Sequence, residues 1–392
     1  MSSKRLKAML SLAILASTIV AVSAQAPAPA QVGLGLDAAI AVIDKTIASN
    51  FAKDGIGGLS IGVVSGKQLI WSKHYGYAEA ETKRVADNDT AYRVGSITKQ
   101  FTALALLQLV EKGQMRLSDP LEKYVPEVKQ VKSPPAGAPP VTILQVAMMT
   151  SGLAREPECD HPNDGSSAEW QKIVLRCLPQ TKYVTEPAGT TYRYSNIGYA
   201  TLGLAIERAG RQPYIDQVRD RILVPLGMSR SAMGDASPAV RVNLAHGYQL
   251  DEKSGKVSRE DPDRGLDGRG YRVPNGGLFS TVNDLAKFAS WELGDGPSGI
   301  LNRDTQEANY SRAVFYIPEM YAGYGVGFQV RWLGPVLMIG HGGSTDGYHS
   351  AVYVNRPTHL GVIVLRNCDS CPVDAGAVAA NALVALATAK SK

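Results

Sequence analysis

Arg93-Val94-Gly95-Ser96-Ile97-Thr98-Lys99 runs directly into Phe101-Thr102-Ala103-Leu104-Ala105-Leu106-Leu107. The second stretch is apolar enough to predict a buried helix, which places Ser96 at a helix start. Residues three apart share a helix face, so Ser96 and Lys99 come within hydrogen-bond reach on an element held still by the core. Burial lowers a lysine pKa, so a neutral Lys99 can take the Ser96 proton, while N–H groups at the helix start favour developing negative charge. The same residues also suit plainer roles, a capping serine and a solvated lysine. The weight comes from company, since this is the only Ser-x-x-Lys in the chain.

Downstream, Tyr194-Ser195-Asn196 stands just before the helical run that begins at Gly198. A phenol beside a lysine can relay protons, and an asparagine amide can grip a substrate carbonyl, roles that fall to Tyr194 and Asn196. Tyr353-Val354-Asn355 repeats the spacing, but in a strand-like run rather than a loop. The third element is Gly340-His341-Gly342-Gly343-Ser344, after the apolar run from Val336 to Ile339. Its glycines let a substrate backbone lie against a strand, and the N–H of Ser344 joins that of Ser96 in an oxyanion hole, with His341 bordering the site. His359-Leu360-Gly361 shares the His-x-Gly pattern, so the joint occurrence of all three elements carries the argument.

Outward from these motifs, apolar residues recur at helical spacing from Leu36 to Ala52, and Leu59 to Val64 and Gln68 to Gly76 flank the turn Ser65-Gly66-Lys67 as an antiparallel pair. Strand texture returns at Gly325 to Trp332, Val336 to Gly340, Tyr348 to Asn355 and Leu360 to Arg366, before an Ala-rich helix from Val373 to Thr388. Helical patterns fill the middle, at Phe101 to Lys112, Gly198 to Ala209 and Pro213 to Leu223, with loops at Ser133 to Pro140, Asp251 to Asn275 and Tyr310 to Gly323. The fold expected is α+β: an antiparallel sheet drawn from both chain ends (about 33–92 and 272–392), flanked by helices, with a mostly helical region (about 93–271) inserted and a groove where the two meet.

The chain has 392 residues, 44% hydrophobic and 20% charged, a globular composition that excludes disorder, coiled coil and collagen. Its formal charge is +5, three units of which belong to Lys4, Arg5 and Lys7, and no basic run marks a nucleic-acid partner. Those three cations precede an apolar run from Ala8 to Val22 and small-x-small sites ending at Ala24 and Ala26, which read as a secretory signal over residues 1–26. The run is shorter than a comfortable membrane span, and Ala26 to Ala30 reads as an Ala-Pro tether. The mature chain, 27–392, is expected to be periplasmic or secreted. Cys159, Cys177, Cys368 and Cys371 suit an oxidising compartment and allow three pairings; the local one, Cys159 with Cys177 and Cys368 with Cys371, is expected.

The three motifs, in this order, resemble those of serine hydrolases of the β-lactamase and penicillin-binding-protein fold: Ser-x-x-Lys, Tyr-x-Asn and Lys/His-x-Gly. Leu117-Ser118-Asp119-Pro120-Leu121, Thr150-Ser151-Gly152-Leu153 and Asn275-Gly276-Gly277-Leu278-Phe279-Ser280-Thr281 add to the likeness, which runs from about Leu36 to Leu386. The resemblance implies Ser96 as nucleophile, Lys99 as its base, Tyr194 as proton shuttle, and Asn196, His341, Gly343 and Ser344 as substrate-binding residues. Tyr194 points to the branch of class C β-lactamases, D-alanyl-D-alanine carboxypeptidases and family VIII esterases. His341-Gly342-Gly343 departs from the Lys-Thr-Gly of efficient β-lactamases. A histidine with pKa near ~6.5 attracts a carboxylate less than lysine does, and Gly342 has no hydroxyl. The expectation is an ester or D-amino-acid peptide substrate, with a β-lactam as the alternative and a non-catalytic peptidoglycan-binding role behind it. An α/β-hydrolase would need a Gly-x-Ser-x-Gly elbow, absent at Ser96, and the six histidines show no zinc-hydrolase spacing, so no cofactor or metal is expected.

Overall fold

A computed structural model describes residues 35–134, 136–184, 191–260, 266–317 and 322–391. The signal and tether expected at 1–30 lie outside the described residues. Helix α1, Leu36–Asp54, turns Ala39, Ile43, Ile47 and Phe51 inward and stops at Gly55, whose φ of 64° only a glycine adopts cheaply. Strands β1, Gly58–Ser65, and β2, Gln68–Gly76, form the expected hairpin. They join β3, Val314–Ile317, β4, Ala322–Tyr324, β5, Gln329–Leu333, β6, Val336–Thr345, β7, Tyr348–Asn355, and β8, Leu360–Arg366. The sheet order is β2-β1-β8-β7-β6-β5-β4-β3, antiparallel at every pairing. The first and last strands of this sheet in chain order therefore pair, β1 with β8, Leu59 opposite Arg366.

Both sheet faces are covered, which is why β1, β7 and β8 read as nearly continuous apolar runs. On one face, α1 and the C-terminal helix pack Ile43, Ile47, Leu383 and Leu386 against Ile61, Val362 and Val364. Arg366 on β8 is fully buried and ion-paired with Asp54 at the end of α1 (2.6 Å), so the two chain ends are also tied electrostatically. On the other face lie α2, Thr98–Glu111, α3, Asn196–Gly210, and α4, Val282–Glu292, with Val282, Leu285 and Phe288 in one core with Val352, Ile363 and Leu365. The C-terminal helix, α5, spans Ala375–Lys390.

Five sequence expectations are revised, one of them the loop expected from Tyr310 to Gly323, which holds β3 and the start of β4. Gly325 to Trp332 is not one strand: Gly325 N–H bonds to Phe328 O and Gly327 takes φ 85°, so the chain bends between β4 and β5. The run from Val336 does not stop at Gly340, and β6 carries His341 to Ser344 on to Thr345 because β7 supplies partners along its length. The helix expected from Pro213 changes to π geometry at Arg219–Leu223, and the expected loop Asp251 to Asn275 contains a strand at Val257–Arg259 and a helical turn at Val273–Gly276. The structure bonds Cys159 to Cys177 and Cys368 to Cys371.

Helix α2 is buried on every side, and its anchor to α4 is part polar. Phe101 stacks on Phe288 (centroids 4.4 Å), and Gln100 donates to the buried Glu292 carboxyl at 2.6 Å. Burial pushes Glu292 from 4.5 to about 8, with the Arg356 charge pulling back. A folded pKa above the unfolded one means the protonated acid stabilises fully below about 4.5, and that stability is lost as pH rises toward 8. Among the described residues Gln100 Oε1 and Glu292 Oε2 have no hydrogen-bond partner, and a glutamine at 292 keeps the shape of the acid and its bond from Gln100 without a charge that pH can bring in. Glu292→Gln is therefore expected to raise stability at pH 8 by about 1–3 kcal/mol and flatten its decline from pH 5 to 8. Urea midpoints of both proteins at the two pH values measure this, and identical slopes with pH would refute it.

Candidate active site

A single 3₁₀ turn at Gly95–Ile97 feeds into α2 and presents Ser96 beside Lys99. The turn exists because Gly95 adopts φ 50° and because no side chain fits there: a Cβ on Gly95 would lie 2.9 Å from Ser344 N. Strand β6 presses equally close from the other side, since a Cβ on Gly343 would lie 2.1 Å from Val94 O and 3.0 Å from Ser96 N. The Gly95-Ser96 and Gly343-Ser344 backbones are thus neighbours, as an oxyanion site shared between them requires.

Lys99 is fully buried. Its Nζ lies 3.0 Å from Ser96 Oγ, 2.8 Å from Asn196 Oδ1 and 2.8 Å from the Asn275 carbonyl oxygen. It also lies 4.8 Å from the centre of the Tyr194 ring. Burial, then the Arg272 charge, hold its pKa well below the usual lysine range, against a smaller upward pull from Glu156. Tyr194 OH donates to Ser96 Oγ at 2.7 Å, and burial pushes the phenol above its usual value, so the tyrosine keeps its proton.

The loop carrying Tyr194 is pinned on both sides. Ser195 caps α3 through Gly198 N–H and donates to Ala154 O at 2.7 Å. Met149, buried with φ 60°, accepts Arg193 N–H on its carbonyl (2.6 Å) and Ser195 N–H on its sulfur (3.2 Å). Asn196 is fully engaged: Oδ1 faces Lys99, and Nδ2 donates to Glu156 Oε1 at 2.6 Å. Its amide therefore positions Lys99 in this structure, whereas the sequence reading has it gripping substrate.

His341 on β6 is buried, its Nδ1 2.5 Å from Gly342 O and its Nε2 3.0 Å from Tyr324 OH. A carbonyl only accepts, so the proton sits on Nδ1 and Nε2 accepts from Tyr324. Burial first, then repulsion from Lys99 whenever that amine is protonated, lower its pKa to about 3, so the ring is neutral at any physiological pH. The unperturbed value assumed from sequence understates this neutrality. His341 and Tyr194 rings are 6.4 Å apart, which brings all three motifs into one cluster.

Sequence reasoning missed Glu156, Tyr324 and Asn275 as members of the site. Glu156 follows Thr150-Ser151-Gly152-Leu153 by three residues, and its oxygens collect Asn196 Nδ2, Tyr271 OH and Arg272 Nη2. Asn275 opens a stretch noted for resemblance alone; its carbonyl accepts from Lys99, and its Nδ2 donates to Asn196 O at 3.2 Å. Nothing in the sequence around Tyr324 signals its bond to His341. Among the described residues, Glu79, Glu81 and His246 bring metal-ligand atoms together, but Arg259 Nη2 already sits 3.1 Å from His246 Nε2. No helix among them is long and apolar enough to cross a membrane.

Comparison with known proteins agrees with this geometry. Protein flp of Staphylococcus aureus (strain N315) is 27% identical over 330 residues, covering 84% of this chain and 63% of flp. Beta-lactamase-like protein 2 of Dictyostelium discoideum is 27% identical over 336 residues, 82% of this chain and 58% of the relative. The chain thus spans about three fifths of the length of these relatives. The octameric penicillin-binding protein homologue from Pyrococcus abyssi superposes with a TM-score of 0.75 at 27% identity, covering 89% of this chain and 77% of its own. A D-stereospecific amidohydrolase from Streptomyces shares the fold, with a TM-score of 0.70 at 22% identity, over 88% of this chain and 97% of its own. The Beta-lactamase family profile matches residues 43–387, and with the fold and the clustered motifs this establishes that the chain belongs to the beta-lactamase family.

Proposed function

We propose that the protein is an exported serine hydrolase that cleaves an ester or amide bond, in a small ester or a D-amino-acid peptide, through an acyl-enzyme on Ser96. The observation that carries this reading is the set of partners around Lys99 Nζ. A neutral amine has two hydrogens and one lone pair. Asn196 Oδ1 and Asn275 O are pure acceptors and take the hydrogens, which leaves the lone pair for the Ser96 hydroxyl. Ser96 in turn accepts from Tyr194, so its proton has one direction to go.

In the proposed reaction Ser96 Oγ attacks the carbonyl carbon as its proton passes to Lys99, and the N–H groups of Ser96 and Ser344 hold the oxyanion. Tyr194 gives its proton to the leaving atom and recovers one from Lys99. A water then attacks the acyl carbon, its proton returning through Tyr194 and Lys99, and the acid departs with Ser96 restored. The raised phenol pKa keeps Tyr194 protonated at rest, so it enters the cycle as a donor rather than as a base.

The β-lactam alternative is disfavoured by the neutral, buried His341 and the absence of a hydroxyl at Gly342. A purely binding role is disfavoured by the complete proton path from Ser96 to Lys99. Export rests on the leader over residues 1–26, and two disulfides suit a periplasmic or extracellular setting. The expected partner is a small molecule or peptide.

Purified mature protein is expected to turn over a short aryl ester or a D-Ala-D-Ala peptide, with Ser96→Ala lowering the rate by about 10³-fold or more. Retained activity in that variant would reject the acyl-enzyme. A chromogenic cephalosporin should be a poor substrate, and fast hydrolysis would make the protein a β-lactamase. The Glu156 charge favours the protonated Lys99, so Glu156→Gln lowers the Lys99 pKa further. The acid limb of kcat/KM should move to lower pH, and a limb that stays in place would contradict the assignment of Lys99 as base.

A further inference from the structure

The residue after Lys99 belongs to a different polar cluster. Gln100 on α2, Glu292 at the end of α4 and Asn309 on the helix Arg303–Tyr310 line one cavity of about 20 Å³, room for a single water-sized particle. The bend Val326-Gly327-Phe328 forms another wall, pressed so close to α2 that a Cβ on Gly327 would lie 3.0 Å from Lys99 O. The three polar side chains are 5%, 2% and 8% accessible. Among the described residues, Gln100 Oε1, Glu292 Oε2 and Asn309 Oδ1 have no hydrogen-bond partner.

No cation within ion-pair reach balances the Glu292 carboxyl among the described residues. Arg356 pulls on it from outside the cavity lining, but both Nη atoms of Arg356 hold the Glu307 carboxylate, and its guanidinium carbon lies 4.7 Å from the centre of the Tyr310 ring. Tyr310, the other titratable group lining the cavity, is pushed above the usual phenol range by burial and keeps its proton, and Gln306 spends its Nε2 on Trp291 O at 3.0 Å. A buried acid placed in this way is neutralised by its proton or by a cation in the proton's place. Once the proton is gone, all three oxygens are acceptors. A water has two hydrogens and serves two of them, leaving the third oxygen and the charge unmet, whereas one cation meets all three and the charge. A single carboxylate matches a single positive charge, and a divalent ion would leave a surplus charge buried.

We propose that this cavity binds one small monovalent metal cation, such as sodium, through Glu292 Oε2, Gln100 Oε1 and Asn309 Oδ1. The ion joins α2, α4 and the helix Arg303–Tyr310 at one point, next in the chain to Lys99, and acts as a structural cross-link rather than a reactant. It competes with the Glu292 proton. Burial raises that carboxyl to about 8, so the ion binds fully above this pH and about a hundredfold more weakly at pH 6. The protonated acid turns Oε2 into a donor, and the cavity then suits a water.

Thermal midpoints in sodium chloride and in choline chloride, each at about 0.2 M, separate a bound ion from general screening, because choline is too large for the cavity. At pH 9 the midpoint should be higher in sodium by about 2 °C or more, and the difference should fade at pH 6. Glu292→Gln, which keeps the shape of the acid without its charge, should abolish the difference at pH 9. Equal midpoints in the two salts at pH 9 overturn the proposal and leave the cavity to water. A sodium effect that persists in Glu292→Gln, or that is as large at pH 6 as at pH 9, puts the ion elsewhere and overturns it as well. The readout is stability, so each of these results leaves the acyl-enzyme reading to its own test.

Discussion

Lys99 ends in a nitrogen with no solvent contact, met at 2.8 to 3.0 Å by Ser96 Oγ, Asn196 Oδ1 and Asn275 O. An amine buried this deeply is tolerable only if every hydrogen finds an acceptor and the charge is given up. That requirement explains much of the surrounding construction. Asn196 must offer oxygen rather than nitrogen, and Glu156 enforces this by taking the amide hydrogens. The Tyr194 loop must not drift, and Met149, Ala154 and Arg155 hold it at Arg193, Ser195 and Asn196. Helix α2 must not shift, and burial on every side leaves it nowhere to go.

A second constraint joins the sheet to the helical layer. β6 and the Gly95-Ser96 turn approach until no Cβ fits between them, at Gly95 from one side and Gly343 from the other. Side chains are excluded so that backbone donors stand together, which gives the glycines of the third motif a packing reason. The same strand carries His341, whose neutrality is a result of burial and of its neighbour Lys99 rather than of bulk pH.

The architecture was largely legible in the sequence because its signals are local. Periodicity marked α1, the first hairpin and the C-terminal strands, and apolar saturation marked α2. The misjudged stretches are those where a neighbour decides the outcome: β6 outlasts its apolar run because β7 pairs with it through Thr345, and Gly325 to Trp332 breaks at a glycine whose φ no pattern reveals. The local cysteine pairing was the simplest of three possibilities, and the fold brings those partners together.

By itself the sequence determined that a serine, a lysine, a tyrosine and a His-Gly-Gly strand belong to one site, because each residue type sits at a spacing and in a context that its chemistry demands. Only the tertiary structure decided which atom faces which. It turned the Asn196 amide toward Lys99 and brought in Glu156, Asn275 and Tyr324. The physical reason is that hydrogen-bond direction, pKa and charge balance depend on distances of about 3 Å between residues far apart in the chain, and no local pattern encodes those.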